Sequence, residues 1–433
     1  MRNILIIAFI TFLSSSFSQS DFKSVQLLPS SKLAQFYGQS EPAIAIHPIN
    51  QNIIAAACIL KEYYYSMDGG KTWTSKAMKS KYGVWGDPVL TFDTTGRLYY
   101  FHLANYKKTS WIDRIVCQTA ENVDDKFNKG TFPKPNGTKA QDKHWTVINP
   151  MNNEIYMSWT QFDEYASTVS TDSSIIVFSK SSDQGKTWSD PIRISKFAGD
   201  CIDGDNTVEG AVPAVGANGE IYVTWTGPHG LVMQKSVDGG KTWLVEEQFI
   251  HVHSGGWDLT IPGLQRANGL PILVSDLSNG SNRGTLYLNW CDQKNGEGDT
   301  DSWLSSSNDG GKTWSDPVRV NQDESKKHQF FTWMTIDQSN GNLYFVYYDR
   351  RNYKDNQTDV YLSTSRDGGL TFTENRISKK PFIPSDNVFF GDYLNISAVN
   401  GVIRPIWPRM DNGRITLWVT LIEESDLLKS IEK

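Results

Sequence analysis

Five copies of one eight-residue phrase punctuate the chain: SMDGGKTW at 66–73, SSDQGKTW at 181–188, SVDGGKTW at 236–243, SNDGGKTW at 307–314 and SRDGGLTF at 365–372. Each phrase has the chemistry of a tight turn. The Asp at its third position accepts backbone N–H bonds, the Gly at its fifth takes positive φ, and the closing Trp or Phe anchors the turn between neighbouring sheets. A turn that recurs with the same chemistry requires a recurring pair of strands around it, so the chain folds as an array of equivalent β-units.

The turn aspartates are Asp68, Asp183, Asp238, Asp309 and Asp367, giving steps of 115, 55, 71 and 58 residues. The first step is two ordinary ones. A degenerate copy is therefore expected between them, at Thr119–Phe127, where polar turn residues and a terminal aromatic remain but the glycine is lost. A period near 55 fits one four-stranded propeller blade with its loops.

A second element precedes each turn: an apolar strand, a turn, then a strand rich in aromatic and β-branched residues. The first strands start at Glu41, Asp87, Lys143, Glu209, Leu270, Phe331 and Asp392, which makes seven units. The seventh lacks the phrase and reaches only its third strand near Arg414–Ile422. Phe22–Leu28 is the segment expected to complete it, closing the ring and removing an open edge. The predicted fold is all-β, a single seven-bladed β-propeller over 20–433 with four-stranded antiparallel blades; six blades is the alternative count.

The phrase is similar to the Asp-box of the sialidase-like β-propellers, and the resemblance covers nearly the whole chain after its leader. It implies that the turn aspartates are structural and that ligands meet the opposite face. Sialidases of this superfamily usually have six blades, bind the sugar carboxylate with three arginines, the first in an Arg-Ile-Pro motif, and use a Tyr–Glu nucleophile pair with an Asp acid/base. No Arg-Ile-Pro occurs here, the first blade offering Glu41-Pro-Ala instead, so no sialidase catalytic residue is carried over. The seven-blade count is more like that of propellers among polysaccharide lyases and certain rhamnosidases, which act on uronate-containing glycans with His, Tyr and Arg on the funnel face.

Met1-Arg-Asn, the apolar Ile4–Leu13 and the small polar Ser14–Ser20 have the tripartite form of a secretory signal peptide, assigned to 1–19. The apolar run is too short for a membrane span and no cysteine follows it, so a secreted or periplasmic protein without a lipid anchor is expected. A formal charge of −6 and the absence of a basic run exclude a nucleic-acid binder. A monomer is expected. Four cysteines allow three pairings; one reading pairs Cys201 with Cys291, and the other leaves Cys58 and Cys117 as buried thiols.

Chemistry is expected where the innermost strands begin. There the repeat puts Glu41, Asp87, Lys143, Glu209 and Asp392 at equivalent places around a central funnel, with His144, His328 and Tyr393 beside them as acid/base groups. Loops after the second strands add His102, Arg350 and Arg409, the arginines being suited to a carboxylate or sulfate. The expected catalytic set is His144, His328, Tyr393, Asp87 and Glu209; Lys143, Arg350, Arg409, Glu41, Asp392 and His102 are assigned to substrate binding. No cofactor is required, although Asp203 and Asp205 in the insertion before Glu209 could offer oxygen ligands to Ca²⁺.

Three functions fit. One is a carbohydrate-active enzyme on acidic oligo- or polysaccharides, by β-elimination through His and Tyr with Arg on the uronate, or by hydrolysis through a carboxylate pair such as Asp87 and Glu209, an exo-sialidase-like glycosidase among them. The second is a non-catalytic glycan- or protein-binding propeller. The third is a structural or assembly factor.

Overall fold

The structure, a computed structural model, describes residues 22–32, 38–106 and 111–431. The leader at 1–19 lies outside the described residues. Seven sheets form seven blades, whose innermost strands are Ala43–Ile46, Gly86–Phe92, Ala140–Ile148, Glu209–Val215, Ile272–Ser275, Gln329–Asp337 and Asn395–Val399. Each innermost strand touches that of the next blade, and the last touches the first, so the sheets close into a ring. Six blades are four-stranded antiparallel sheets; the second shows three strands, Thr131 bridging to Cys117 where an outer strand would pair.

The seventh blade is closed by the N-terminal segment: Lys23–Leu27 pairs antiparallel with Arg414–Glu423. Arg404 adds a second tie, donating from Nε to the Gly69 carbonyl of blade 1 at 2.9 Å. The two ends of the described chain thus share one blade, and no edge of the ring is left open.

All five phrases connect the third and fourth strands of their blades. In the fourth blade, Thr242 donates its backbone N–H to Asp238 Oδ1 and its hydroxyl to Oδ2, at 2.9 and 2.6 Å. Gly240 has φ +82°, and a Cβ there would come within 2.5 Å of Phe178 in the preceding blade. The closing Trp243 packs on the same Phe178, ring centroids 4.9 Å apart. These turns therefore bolt blade to blade. The degenerate copy keeps its turn by other means, the Asn122 backbone and side-chain nitrogens both donating to Asp125 Oδ2 at 3.0 and 2.8 Å.

All four cysteines are free and buried. The Cys201–Cys291 pairing is not formed, because Cys291 lies inside the strand Leu286–Asp292 with its side chain in the core, and not in a loop facing Cys201. Among the described residues no helix is long and apolar enough to cross a membrane.

Candidate functional site

In an antiparallel blade whose third-to-fourth turn lies at one end, the innermost strand begins at the other end, around the funnel mouth. Here the strand starts are distorted in a repeated way. Glu41, Asp87, Lys143 and Phe331 all have left-handed backbones, with φ of 51°, 48°, 47° and 53°. Pairing registers shift beside three of these four, at 86–89, 142–145 and 330–333, and again at 209–212 in blade 4. Such bulges re-aim side chains, and non-glycine residues held at positive φ are strained, which ordinary strand pairing alone does not require. In blades 4 and 7 the left-handed position falls on Gly210 and Gly391. Glu209 therefore precedes the equivalent position by one residue and Asp392 follows it, a correction to the alignment made from sequence.

The charged strand-start residues converge. The Lys143 ammonium lies against Asp392 Oδ2, 3.5 Å from Glu41 Oε1 and 3.6 Å from Asp87 Oδ2. Lys143 and Glu41 are buried and Asp392 is 1 % exposed. A second cation joins from outside the repeat: Arg266 donates from Nε to Asp392 Oδ1 at 2.8 Å, touches Oδ2 with Nη2, and reaches Asp203 Oδ2 from Nη1 at 2.7 Å. Arg266 stands on the segment 252–271 between blades 4 and 5, which crosses the mouth. Trp257 donates to Asp203, the Asp258 backbone to Asp205, Asn268 to the Asp392 carbonyl, and Pro262 accepts from Arg350.

Two cations facing six acids divide the protonation states. Burial works to raise the Asp392 carboxyl, but Arg266 and Lys143 together outweigh it and hold the group well below the usual range. Burial and then the Asp87 charge push Glu41 well up, burial with Asp203 and Asp142 does the same to Glu209, and burial drives Asp142 up to about 7. Neither Glu209 oxygen has a hydrogen-bond donor among the described residues. Tyr393 is raised by burial and by Asp87 and Glu41; its ring packs on Trp145 and Trp333 at 5.0 and 5.7 Å, and these three aromatics from blades 3, 6 and 7 form the floor. The side chains of Asp87 and Arg266, 13 % and 29 % exposed, are the cluster's openings to solvent.

The histidines divide. His144 is buried with neither ring nitrogen hydrogen-bonded among the described residues, and burial, helped by His102 and Lys143, lowers its pKa to about 3. His102 is inside the strand Leu98–Ala104 and not in a loop; its Nδ1 meets the Leu103 carbonyl at 2.8 Å. His328 bonds Thr300 Oγ1 at 3.0 Å, at the edge of blade 6. Arg350 does not face the funnel openly: it is 2 % exposed, bonded to Pro262 and Thr358, with burial lowering it to about 10. Arg409 lies outside the cluster altogether, paired with Asp411 and the Lys380 carbonyl at the outer rim. Asp203 and Asp205 do not share a ligand set, Asp203 facing Tyr165, Trp257 and Arg266 as donors. Among the described residues no group of three or more His, Cys, Asp or Glu side chains is arranged to hold a metal ion.

The His144 environment has a measurable consequence. Between pH 6.5 and about 3 the unfolded imidazole binds a proton that the folded one does not, so this group makes stability fall on acidification, by roughly 1.4 kcal/mol per pH unit. His144→Leu is expected to flatten the acid limb by about that slope. Urea unfolding over a pH series decides it, and parallel limbs for both proteins would sink the assignment.

No protein-family model and no curated protein matches the chain. Solved structures do match. A PL25 ulvan lyase bound to -[GlcA(1-4)Rha3S]- is 14 % identical, with 90 % of this chain and 94 % of that one covered, at TM-score 0.55. A protein of unknown function from Dyadobacter fermentans is 10 % identical, with 94 % and 98 % covered, at TM-score 0.50. Against a Trypanosoma rangeli sialidase in complex with the inhibitor DANA, 14 % identical at TM-score 0.49, 94 % of this chain is covered but only 61 % of the sialidase's length. At such identities the likeness is one of fold alone: the chain is a seven-bladed β-propeller.

Proposed function

We propose that the chain is a carbohydrate-active enzyme that cleaves glycosidic bonds at the funnel mouth, with Asp87 as the carboxylate that meets the sugar and Glu41 and Tyr393 as the proton-holding groups behind it. The observation that carries this reading is the grouping around Lys143. Glu41 and Asp87 both lie within 3.6 Å of one ammonium nitrogen, so at most about 7 Å separates those oxygens, an upper bound that admits the spacing of paired glycosidase carboxyls. Glycoside hydrolysis needs one carboxyl that keeps its proton and one that does not. Burial supplies the first at Glu41. Asp87 beside it, with its side chain 13 % exposed against 5 % for Glu41, is the one a substrate can reach.

A second reading is elimination from a uronate, supported by the fold likeness to a lyase bound to a glucuronate-containing ligand. It would use Tyr393 and His144 on the proton, with Arg266 on the sugar carboxylate. Charge speaks against it, because all three Arg266 nitrogens are already engaged by Asp392 and Asp203. The test is incubation of the purified protein with neutral and acidic oligosaccharides, followed by mass spectrometry and ultraviolet absorbance. Products that gain water without new absorbance support hydrolysis. An absorbing, unsaturated product replaces it with elimination, and binding without any product overturns the enzyme reading in favour of a glycan-binding propeller.

A further inference from the structure

We infer that the funnel mouth continues into an aromatic subsite on blades 2 and 3, built from Trp85, Trp111 and Tyr165, which takes an uncharged pyranosyl ring of the glycan by its C–H face. The inference rests on the proposed function and names part of its substrate class. Of the chain's 15 tryptophans, Trp85 and Trp111 are the two whose side chains stand out as exposed among the described residues, at 43 % and 42 %. The others are packed into or against the blades, so leaving two indoles in water at one place is a departure that calls for a ligand.

Their placement follows from the topology. Trp85 immediately precedes the innermost strand of blade 2, Trp111 lies between its second and third strands, and Tyr165 occupies the corresponding loop of blade 3. All three are at the funnel end. The rings form a track: Trp85 and Trp111 are 6.3 Å apart at 74°, Trp111 and Tyr165 are 5.1 Å apart at 70°. One end of the track is two residues from Asp87. At the other, the Tyr165 hydroxyl donates to Asp203 at 2.7 Å, and Asp203 is held by Arg266. The subsite is therefore continuous with the acid cluster, which is where a second sugar of the same chain would sit.

The local charges define which sugar. Lys81 lies over the Tyr82 ring at 4.6 Å, and Arg114 is sandwiched on Tyr106 and Phe132 while bonded twice to Asp113. Neither cation is turned to the Trp85–Trp111 faces. Among the described residues a carboxylated or sulfated ring would find no free counter-ion there, whereas a neutral ring presents C–H groups to the indoles and hydroxyls to water.

Binding of neutral and uronate-containing oligosaccharides of increasing length, followed by calorimetry and tryptophan fluorescence, tests the subsite on the full chain. Trp85→Ala and Trp111→Ala are each expected to weaken binding of the longer oligosaccharides by about 10- to 100-fold, the scale of losing a central aromatic anchor. Trp85→Phe should restore most of it, and Phe249→Ala, which removes an exposed aromatic on the outer strand of blade 4, should change nothing. If the double alanine variant binds every length as wild type does while products still form, the subsite is wrong and the enzyme reading stands. If only uronate-bearing chains depend on the two tryptophans, the neutral-ring assignment is overturned. A wild-type chain that neither binds nor cleaves any of them removes the enzyme reading and the subsite together.

Discussion

Lys143→Met is expected to destabilise the propeller by about 3–5 kcal/mol at neutral pH, the usual cost of removing one partner from a buried ion cluster. Lys143 is buried, and its ammonium is shared by Asp392, Glu41 and Asp87. Burial alone would lower its pKa, yet Asp392, Asp87 and Glu41 raise it well above the ordinary value, so the charge is held there by its partners. Methionine of similar length would leave the carboxylates facing one another with Arg266 as their remaining cation. The loss should shrink on acidification, because protonated carboxyls no longer need the ammonium. Denaturant unfolding of Lys143→Met beside Lys186→Met, a lysine on an exposed turn, gives the comparison. A Lys143 variant within 1 kcal/mol of the surface control would mean that the strand starts do not depend on this ion for their geometry.

The propeller was legible because its determinants are local and repeated. A turn such as Ser236–Trp243 carries its own hydrogen-bond acceptor, its left-handed glycine and its packing aromatic within eight residues, so the repeated turns announce the propeller and the first-strand starts count its blades. The circular closure was legible from a deficit, a seventh unit lacking an outer strand, and Lys23–Leu27 fills it. The site was legible only in part. The repeated strand-start position singles out Glu41, Asp87 and Lys143, which the structure brings together, but the left-handed residue falls on Gly210 and Gly391, one place from Glu209 and Asp392, a backbone detail that no residue pattern fixes. Arg409 lies inside the strand Val402–Asp411 and not in a loop after it, with its guanidinium taken up by Asp411 and the Lys380 carbonyl, which the residue pattern does not reveal. Arg266 was missed entirely. It belongs to no repeated motif, and its only trace was the long 71-residue step between Asp238 and Asp309, which marks the inserted segment without saying which of its side chains crosses the mouth.

Glu41→Gln and Asp87→Asn should separate stability from chemistry. Glu41 has its folded-state pKa raised above its unfolded value, so above the unfolded pKa folding must take up a proton or bury a charge, and either costs stability as pH rises. Glutamine keeps the shape and removes that cost, so Glu41→Gln should be as stable as wild type or more so at neutral pH. Asp87→Asn removes one negative charge from a cluster with more acids than cations, which also favours folding. Turnover should move the other way in both, falling by about 10²- to 10⁴-fold, the scale of losing a general acid or base. Stabilised but inactive variants are the signature of groups kept at a cost to the fold for the sake of a reaction. Thermal unfolding and turnover measured on the same preparations provide the test. Variants that gain stability and keep full turnover would take Glu41 and Asp87 out of the reaction and leave their left-handed backbones to be explained by the architecture of the hub alone.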